Sequence, residues 1–265
     1  MKNISSSSNP IIKNAKSLYR KKERWNKKLF LIEGVKIVGE CIESGIEPIY
    51  ILFSDVLFST TGGERLFNKI KKYDEKLVKL PNKLLKDISD TENPQGILAI
   101  VKFNILELDI LFKMKDKFFI MLDELQDPGN MGTIIRTADA FGASGVVVTS
   151  NCVDIYNPKV VRSTMGSLFH IPIVYIEDKL QIINKLKSKK IQVYATSLES
   201  ANYIYDVNFK RDFALIIGNE SKGVSEEILA LADGTIKIPI IGNAESLNAA
   251  IASSIIMYEA VRQRS

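Results

Sequence analysis

Cysteine, histidine and tryptophan are nearly missing: 265 residues hold two cysteines, one histidine and one tryptophan. Cys41 and Cys152 stand far apart and in no C-x-x-C pattern, which argues against a disulfide framework or a cysteine zinc site and for a reducing compartment, the cytoplasm. His170 precedes an apolar run with no serine or cysteine nucleophile pattern beside it, so it reads as structural. With no cluster of metal-ligating residues either, zinc hydrolysis and His-based acid–base chemistry lose ground and no metal is expected. The polar start lacks the apolar core of a signal peptide, and no window is apolar enough to span a membrane. The glycines never form G-x-G-x-x-G after the first strand of an α/β pattern, which disfavours a nicotinamide oxidoreductase.

What is present suits a folded protein with a sizeable core: 46% hydrophobic and 25% charged residues, in a chain long enough for two domains. The net charge of +5 is unevenly placed. Residues 1–103 carry 19 Lys/Arg against 12 Asp/Glu, and residues 104–265 carry 17 against 19. The excess is densest from Lys13 to Lys28, where Lys16, Arg20, Lys21, Lys22, Arg24 and Lys27 meet only Glu23, with Tyr19 and Trp25 among them. A solvated helix face accounts for such a run; so does a polyphosphate partner, whose neutralisation releases counterions. Lys21, Lys22, Lys27 and Lys28 are the candidate phosphate contacts.

Residues 1–9 read as disordered and 10–25 as a basic helix. Strand-like runs at 30–32, 49–53, 77–80 and 96–103 alternate with helical patterns at 33–44, 63–73 and 82–89, giving a small α/β domain over 1–103. Residues 104–117 read as a linker with some helix. Beyond it, apolar runs at 118–122, 146–149, 171–175, 191–195, 213–217 and 236–240 alternate with helical patterns at 130–141, 178–189, 225–232 and 247–264. Such alternation predicts an α/β fold with a mostly parallel sheet in a second domain, 118–265.

Ligands gather where loops leave the carboxyl ends of such strands. Three loops there are polar and small: DELQDPGNMGTIIRTADAFG after 122, GNESKGVS after 217 and IGNAESLNAA after 240. In the first, Asn130 suits a helix N-cap and Arg136 an ion pair with Asp139; alternatively both serve a site at that helix start. In the second, Gly218 permits close backbone approach, Asn219 offers an amide and Glu220 a carboxylate. In the third, Ser246 and Asn248 either cap the last helix or face a ligand. The apolar side of that helix, with Ile251, Ile255, Tyr258 and Val261, suits a core or a dimer interface.

With these segments in hand, residues 118–265 resemble the SpoU (TrmH-like) RNA 2′-O-ribose methyltransferases of the SPOUT superfamily. DPGNMGTIIRTADAFG at 127–142, IIGNESKGVS at 216–225 and IPIIGNAESLNAAIASSIIMYEAVRQR at 238–264 carry the resemblance, with YNPKVVRSTMGSLFHIPI at 156–173 between them. FLIEGVKIV and PQGILAIV make residues 30–103 similar to the family's L30e-like substrate-binding domain. The resemblance implies a C-terminal trefoil knot, S-adenosylmethionine as cofactor and a homodimer through the C-terminal domain. Carried over by position, the catalytic set is Asn130, Arg136, Glu220, Ser246 and Asn248. Cofactor contacts fall on Gly218, Ile238 and Leu247, flanked by Thr196, Ser197, Leu198, Asn219 and Ile240. Ser221 departs from the glycine that often ends the second motif.

The implied activity is methyl transfer to a ribose 2′-hydroxyl, with a guanosine of 23S rRNA favoured by domain analogy. A tRNA methyltransferase, an antibiotic-resistance rRNA methyltransferase and a non-catalytic RNA-binding protein are the alternatives. Asn130 and Glu220 are expected to orient Arg136, as general base or as electrostatic clamp, and Ser246 and Asn248 to hold the cofactor loop and the ribose.

Overall fold

The computed structural model describes residues 1–115 and 117–265. Asp116, within the segment read as a linker, lies outside the described residues. In chain order the first elements are β1 (Lys2–Asn3), α1 (Pro10–Ser17), α2 (Lys21–Lys27), β2 (Leu29–Glu33), α3 (Val35–Glu43) and β3 (Tyr50–Phe53). Then come α4 (Val56–Ser59), α5 (Gly63–Ile70), β4 (Leu77–Lys79), α6 (Asn82–Ile88), β5 (Ile97–Lys102), α7 (Asp109–Phe112) and β6 (Phe118–Leu122). The remainder is α8 (Pro128–Ala140), β7 (Gly145–Thr149), α9 (Pro158–Thr164), β8 (Ile173–Ile176), α10 (Lys179–Ser188), β9 (Gln192–Thr196), β10 (Phe213–Ile217), α11 (Glu226–Leu231), β11 (Gly234–Ile236) and α12 (Ala249–Arg264). Among the described residues no helix is long and apolar enough to cross a membrane.

Two compact units emerge. The first comprises residues 1–104 together with 154–169, and the second 105–153 with 170–265. The boundary drawn from sequence differs from this division in the placement of 154–169. The physical reason is Asp154, which is buried and takes the side chains of α2: Arg24 Nε donates to its Oδ2 at 2.8 Å, and Trp25 Nε1 to its Oδ1 at 3.1 Å. Arg24 Nη1 also donates to the carbonyls of Leu18 and Tyr19, where the expected long basic helix breaks into α1 and α2. Arg24 thus leaves the basic surface to which its sequence neighbours assigned it.

The first unit is built on a five-stranded sheet in the order β1-β4-β3-β5-β2. Its strands alternate with period two, so the two faces separate cleanly. Phe30, Ile32, Ile51, Phe53, Ile97, Ala99 and Val101 enter one core, and Leu31, Leu52, Leu98 and Ile100 the other. Residues 2–3, expected to be disordered, form an edge strand parallel to β4.

The second unit has a six-stranded, all-parallel sheet in the order β11-β9-β10-β6-β7-β8. β6, β7 and β10 are buried along their whole length, which is why they read as continuous apolar runs rather than alternating ones. Neighbouring β6 and β10 send the chain in opposite directions across the sheet, β6 toward β7 and β10 past β9 to β11. Their carboxyl ends therefore flank a topological switch point, where a crevice opens in sheets of this kind. The last strand ends at Ile236, earlier than the apolar run suggested, and residues 238–248 are irregular.

Candidate active site

At the switch point the loop after β6 and the loop after β10 are laced together. Pro128 starts α8, and its N-cap is Asp127, whose carboxylate accepts the Asn130 N–H at 2.8 Å. Asn130 is therefore inside the first turn rather than capping it, and its side chain is free for other work. That side chain is nearly buried and reaches two partners. Its Nδ2 donates to Glu220 Oε1 at 3.1 Å, and its Oδ1 accepts from Asn248 Nδ2 at 2.9 Å. Asn248 caps α12 with its own Oδ1 while its Nδ2 reaches Asn130.

Glu220 accepts three hydrogen bonds, from Asn130 and from the backbone N–H groups of Asp127 (2.9 Å) and Gln126 (3.1 Å). Partial burial opposes its ionisation, but these donors outweigh that and hold the carboxyl below its ordinary range. Near neutral pH it is a fixed anion that organises the loop. A hydrogen-bonded chain Glu220–Asn130–Asn248 thus joins the three strand-end segments singled out in the sequence.

The second loop owes its shape to glycine. A Cβ on Gly218 would lie 2.1 Å from the Gly223 carbonyl carbon, and Gly223 itself sits at φ +72°. Asn219 closes the turn: its backbone pairs with Gly223, its Oδ1 accepts from Ser221 N and Lys222 N, and its Nδ2 donates to the Glu124 carbonyl. Ser221 is not among the residues with positive φ, so a side chain there is accommodated without strain.

Arg136 stands apart. It is exposed on α8, and among the described residues it has no hydrogen-bond or ion-pair partner. Six residues along a helix separate two side chains by about 9 Å of rise and roughly 120° of rotation, so Asn130 and Glu220 do not orient it within one chain as expected. Nor does it pair with Asp139, which His170 Nδ1 engages at 3.1 Å. Ser246 is exposed and makes no described hydrogen bond.

The cofactor candidates gather at the ends of the three neighbouring strands β9, β10 and β11. Thr196 Oγ1 donates to the Ile216 carbonyl and Ser197 N to the Ile236 carbonyl, at 3.1 Å each. Gly218 is buried, Ile238, Ile240 and Leu247 are half-buried, and Leu198 and Ile241 are exposed. No backbone N–H of residues 238–247 makes a described hydrogen bond. Free backbone donors and acceptors beside exposed apolar side chains fit a neutral, flat heterocycle such as the adenine of S-adenosylmethionine.

Sequence reasoning missed the brace behind the first loop. Asp123, 1% exposed, accepts Ser225 N at 3.0 Å; Lys179 Nζ contacts Asp123, Glu124 and Ser225 Oγ at 3.4, 3.2 and 3.0 Å. Salt-bridged Lys179, with help from Asn151, holds the Glu124 carboxyl below its usual range. The polar run 123–127 was visible in the sequence, whereas nothing about Lys179 marked it out.

The carboxyl ends of β6 and β10 bring together a fixed carboxylate, paired amides and a segment of unpaired backbone, surroundings suited to an enzyme with a nucleotide-like cofactor. Comparison with known proteins narrows the class. Residues 117–258 match the SpoU rRNA Methylase family and residues 9–99 the MRM3-like substrate binding domain. The chain is 36% identical over 258 residues to a 23S rRNA (guanosine(2553)-2′-O)-methyltransferase of Bacillus subtilis, covering 97% of this chain and 98% of that protein. It is 32% identical over 240 residues to a 23S rRNA (uridine(2479)-2′-O)-methyltransferase of Streptomyces viridochromogenes, covering 89% and 83%. The crystal structure of an AdoMet-bound rRNA methyltransferase from Sinorhizobium meliloti superimposes with a TM-score of 0.86 at 31% identity, covering 98% and 97%. The chain belongs to the SpoU rRNA methylase family.

Proposed function

We propose that the chain methylates the ribose 2′-hydroxyl of a nucleotide in 23S rRNA, a guanosine in the favoured case, with S-adenosylmethionine as donor. The observation that carries this reading is the Glu220–Asn130–Asn248 chain at the switch point of a SpoU-family fold. S-adenosylmethionine, when bound, supplies a methyl group on a positively charged sulfur that is already a good leaving group. What the protein must add is position and relief of the charge that develops as the hydroxyl loses its proton.

The backbone of residues 238–247, with Thr196, Ser197, Leu198, Gly218 and Asn219 opposite, holds the adenosyl portion. Asn130, locked between Glu220 and Asn248, presents amide groups of fixed orientation to the ribose, and Ser246 adds a hydroxyl. Arg136 serves as an electrostatic clamp for phosphate or developing alkoxide, because a guanidinium is a delocalised cation and a poor proton acceptor. Lys21 and Lys22, exposed and without described ion pairs, meet RNA phosphates. Lys27 and Lys28 do less: Lys27 bonds Asn14, Ser17 and Glu23, and Lys28 lies over the Trp25 ring.

The proposal extends to a cytoplasmic homodimer formed through α12, whose Ile251 and Tyr258 are 55% and 58% exposed one heptad apart, and to the knotted C-terminal threading of the family. Guanosine follows the Bacillus relative; the Streptomyces relative acts on a uridine. Mapping alkali-resistant linkages in 23S rRNA from cells with and without the gene decides it. One 2′-O-methylguanosine lost with the gene is the expected result, and an unchanged 23S pattern would sink the proposal.

A further inference from the structure

The first unit carries a cleft of about 260 Å³, smaller than the usual range for drug-sized ligands and sized for a single nucleotide. The start of α3 contributes Lys36 and Ile37, the turn before β5 contributes Asn93 and Gln95, and the end of α9 contributes Arg162 and Met165. All lie in the one compact unit.

The walls are braced in advance. The Glu33 carboxylate accepts the Asp90 N–H at 3.1 Å and the Thr91 hydroxyl, and Asp90 in turn holds Arg162 Nη1 at 2.7 Å. The polar groups facing solvent are left unused. Asn93 is exposed and its amide has no described partner. Gln95 spends its Oε1 on the Val35 N–H at 2.8 Å, and its Nε2 has no described partner. Lys36 is exposed with no described ion pair, and Arg162 keeps donors beyond the one given to Asp90.

Met165 is the second, independent sign. It ends α9 in the left-handed region at φ 53°, a position usually given to glycine or asparagine, and leaves its side chain 39% exposed at the cleft. The backbone there is in a region that L side chains rarely adopt, and the exposed thioether is a soft, adaptable face for a flat ring.

We propose that this cleft receives one unstacked nucleotide of the RNA substrate. The base edge meets the amides of Asn93 and Gln95, the base face meets Met165, and the phosphate lies between Lys36 and Arg162. Single-stranded RNA is read in this way, by the edge and face of splayed bases. The inference rests on the RNA-methylation reading and adds a recognition site in the substrate-binding unit.

The test uses the full chain labelled with ¹³C-methyl methionine; six methionines give a simple spectrum, and Met165→Leu assigns the resonance. Titration with a 23S rRNA fragment should move the Met165 methyl upfield by ring current, whereas ribose 5-phosphate should not. Asn93→Ala, which disturbs no described bond, should raise the KM for that RNA about tenfold with kcat unchanged. An unmoved Met165 resonance at saturating RNA, with unchanged KM in Asn93→Ala, overturns the proposal. So does a shift produced by GMP alone and not by the RNA, which would assign the cleft to a free nucleotide. Failure of the methylation reading looks different: the wild type transfers no methyl, while the Met165 shift still reports on the cleft.

Discussion

Asn130 was legible as an important residue but not in its role. The D-P-G-N spacing offers two side chains that can cap a helix, and only the structure shows that Asp127 takes the cap and releases Asn130. This makes Asn130→Asp an informative change: it replaces the Nδ2 donor with a carboxylate set against Glu220. Methyl transfer should fall by about 10²–10³-fold, the scale seen when one oriented active-site donor is lost, and the like-charged pair should lower the melting temperature as well. Retention of near-normal kcat would remove Asn130 from the site. Glu220 gives a pH signature. Its carboxyl is held below the ordinary value of 4.5, so its contribution to stability is full above that value and fades as pH falls through the lowered one. Wild type should therefore outlast Glu220→Gln in urea at pH above the ordinary value of 4.5, and the gap should close as the pH is lowered progressively below it. A gap independent of pH would mean that Glu220 is not the ionised anchor.

At the scale of elements, the strands were the legible part. Buried parallel strands are continuous apolar runs, and β6, β7 and β10 stood out for that reason. Less legible was what polar residues do inside an element. Arg24 sits in a run of basic residues and looks like one more surface charge, yet the tertiary structure buries it against Asp154, 130 residues later. No local pattern encodes such a pairing. Both side chains are under 5% exposed, so Arg24→Met should strand an uncompensated buried carboxylate and cost about 3–5 kcal/mol in urea unfolding. Arg24→Met with Asp154→Leu should recover much of that loss. A single variant within about 1 kcal/mol of wild type would show the pair to be inert. The end of the last strand was misjudged for the opposite reason: the apolar residues 238–240 look strand-like, but β11 stops at Ile236 and their backbone makes no described hydrogen bond.

For the whole molecule, the charge division between the two parts of the chain was visible from composition, and the assignment of 154–169 to the first unit was not. The structure also thins the basic cluster. Lys27 is engaged with Glu23, Asn14 and Ser17 while Lys21 and Lys22 are open, so the latter pair should carry most of the phosphate contact. Replacing both with serine should weaken RNA binding and reduce the log–log salt slope by about 1.4–1.8. Replacing Lys27 alone should change the slope little, and unchanged affinity and slope in the double variant would return the cluster to a solvated face. The central claim is that the crevice between β6 and β10 moves a methyl group onto ribose. Its most direct measurement is transfer of labelled methyl from S-adenosylmethionine to unmodified 23S rRNA, followed by alkaline hydrolysis. Label recovered in alkali-resistant dinucleotides with the wild type, and lost with Asn130→Asp, is the predicted result. Label on a base, or equal transfer by the variant, would contradict the account.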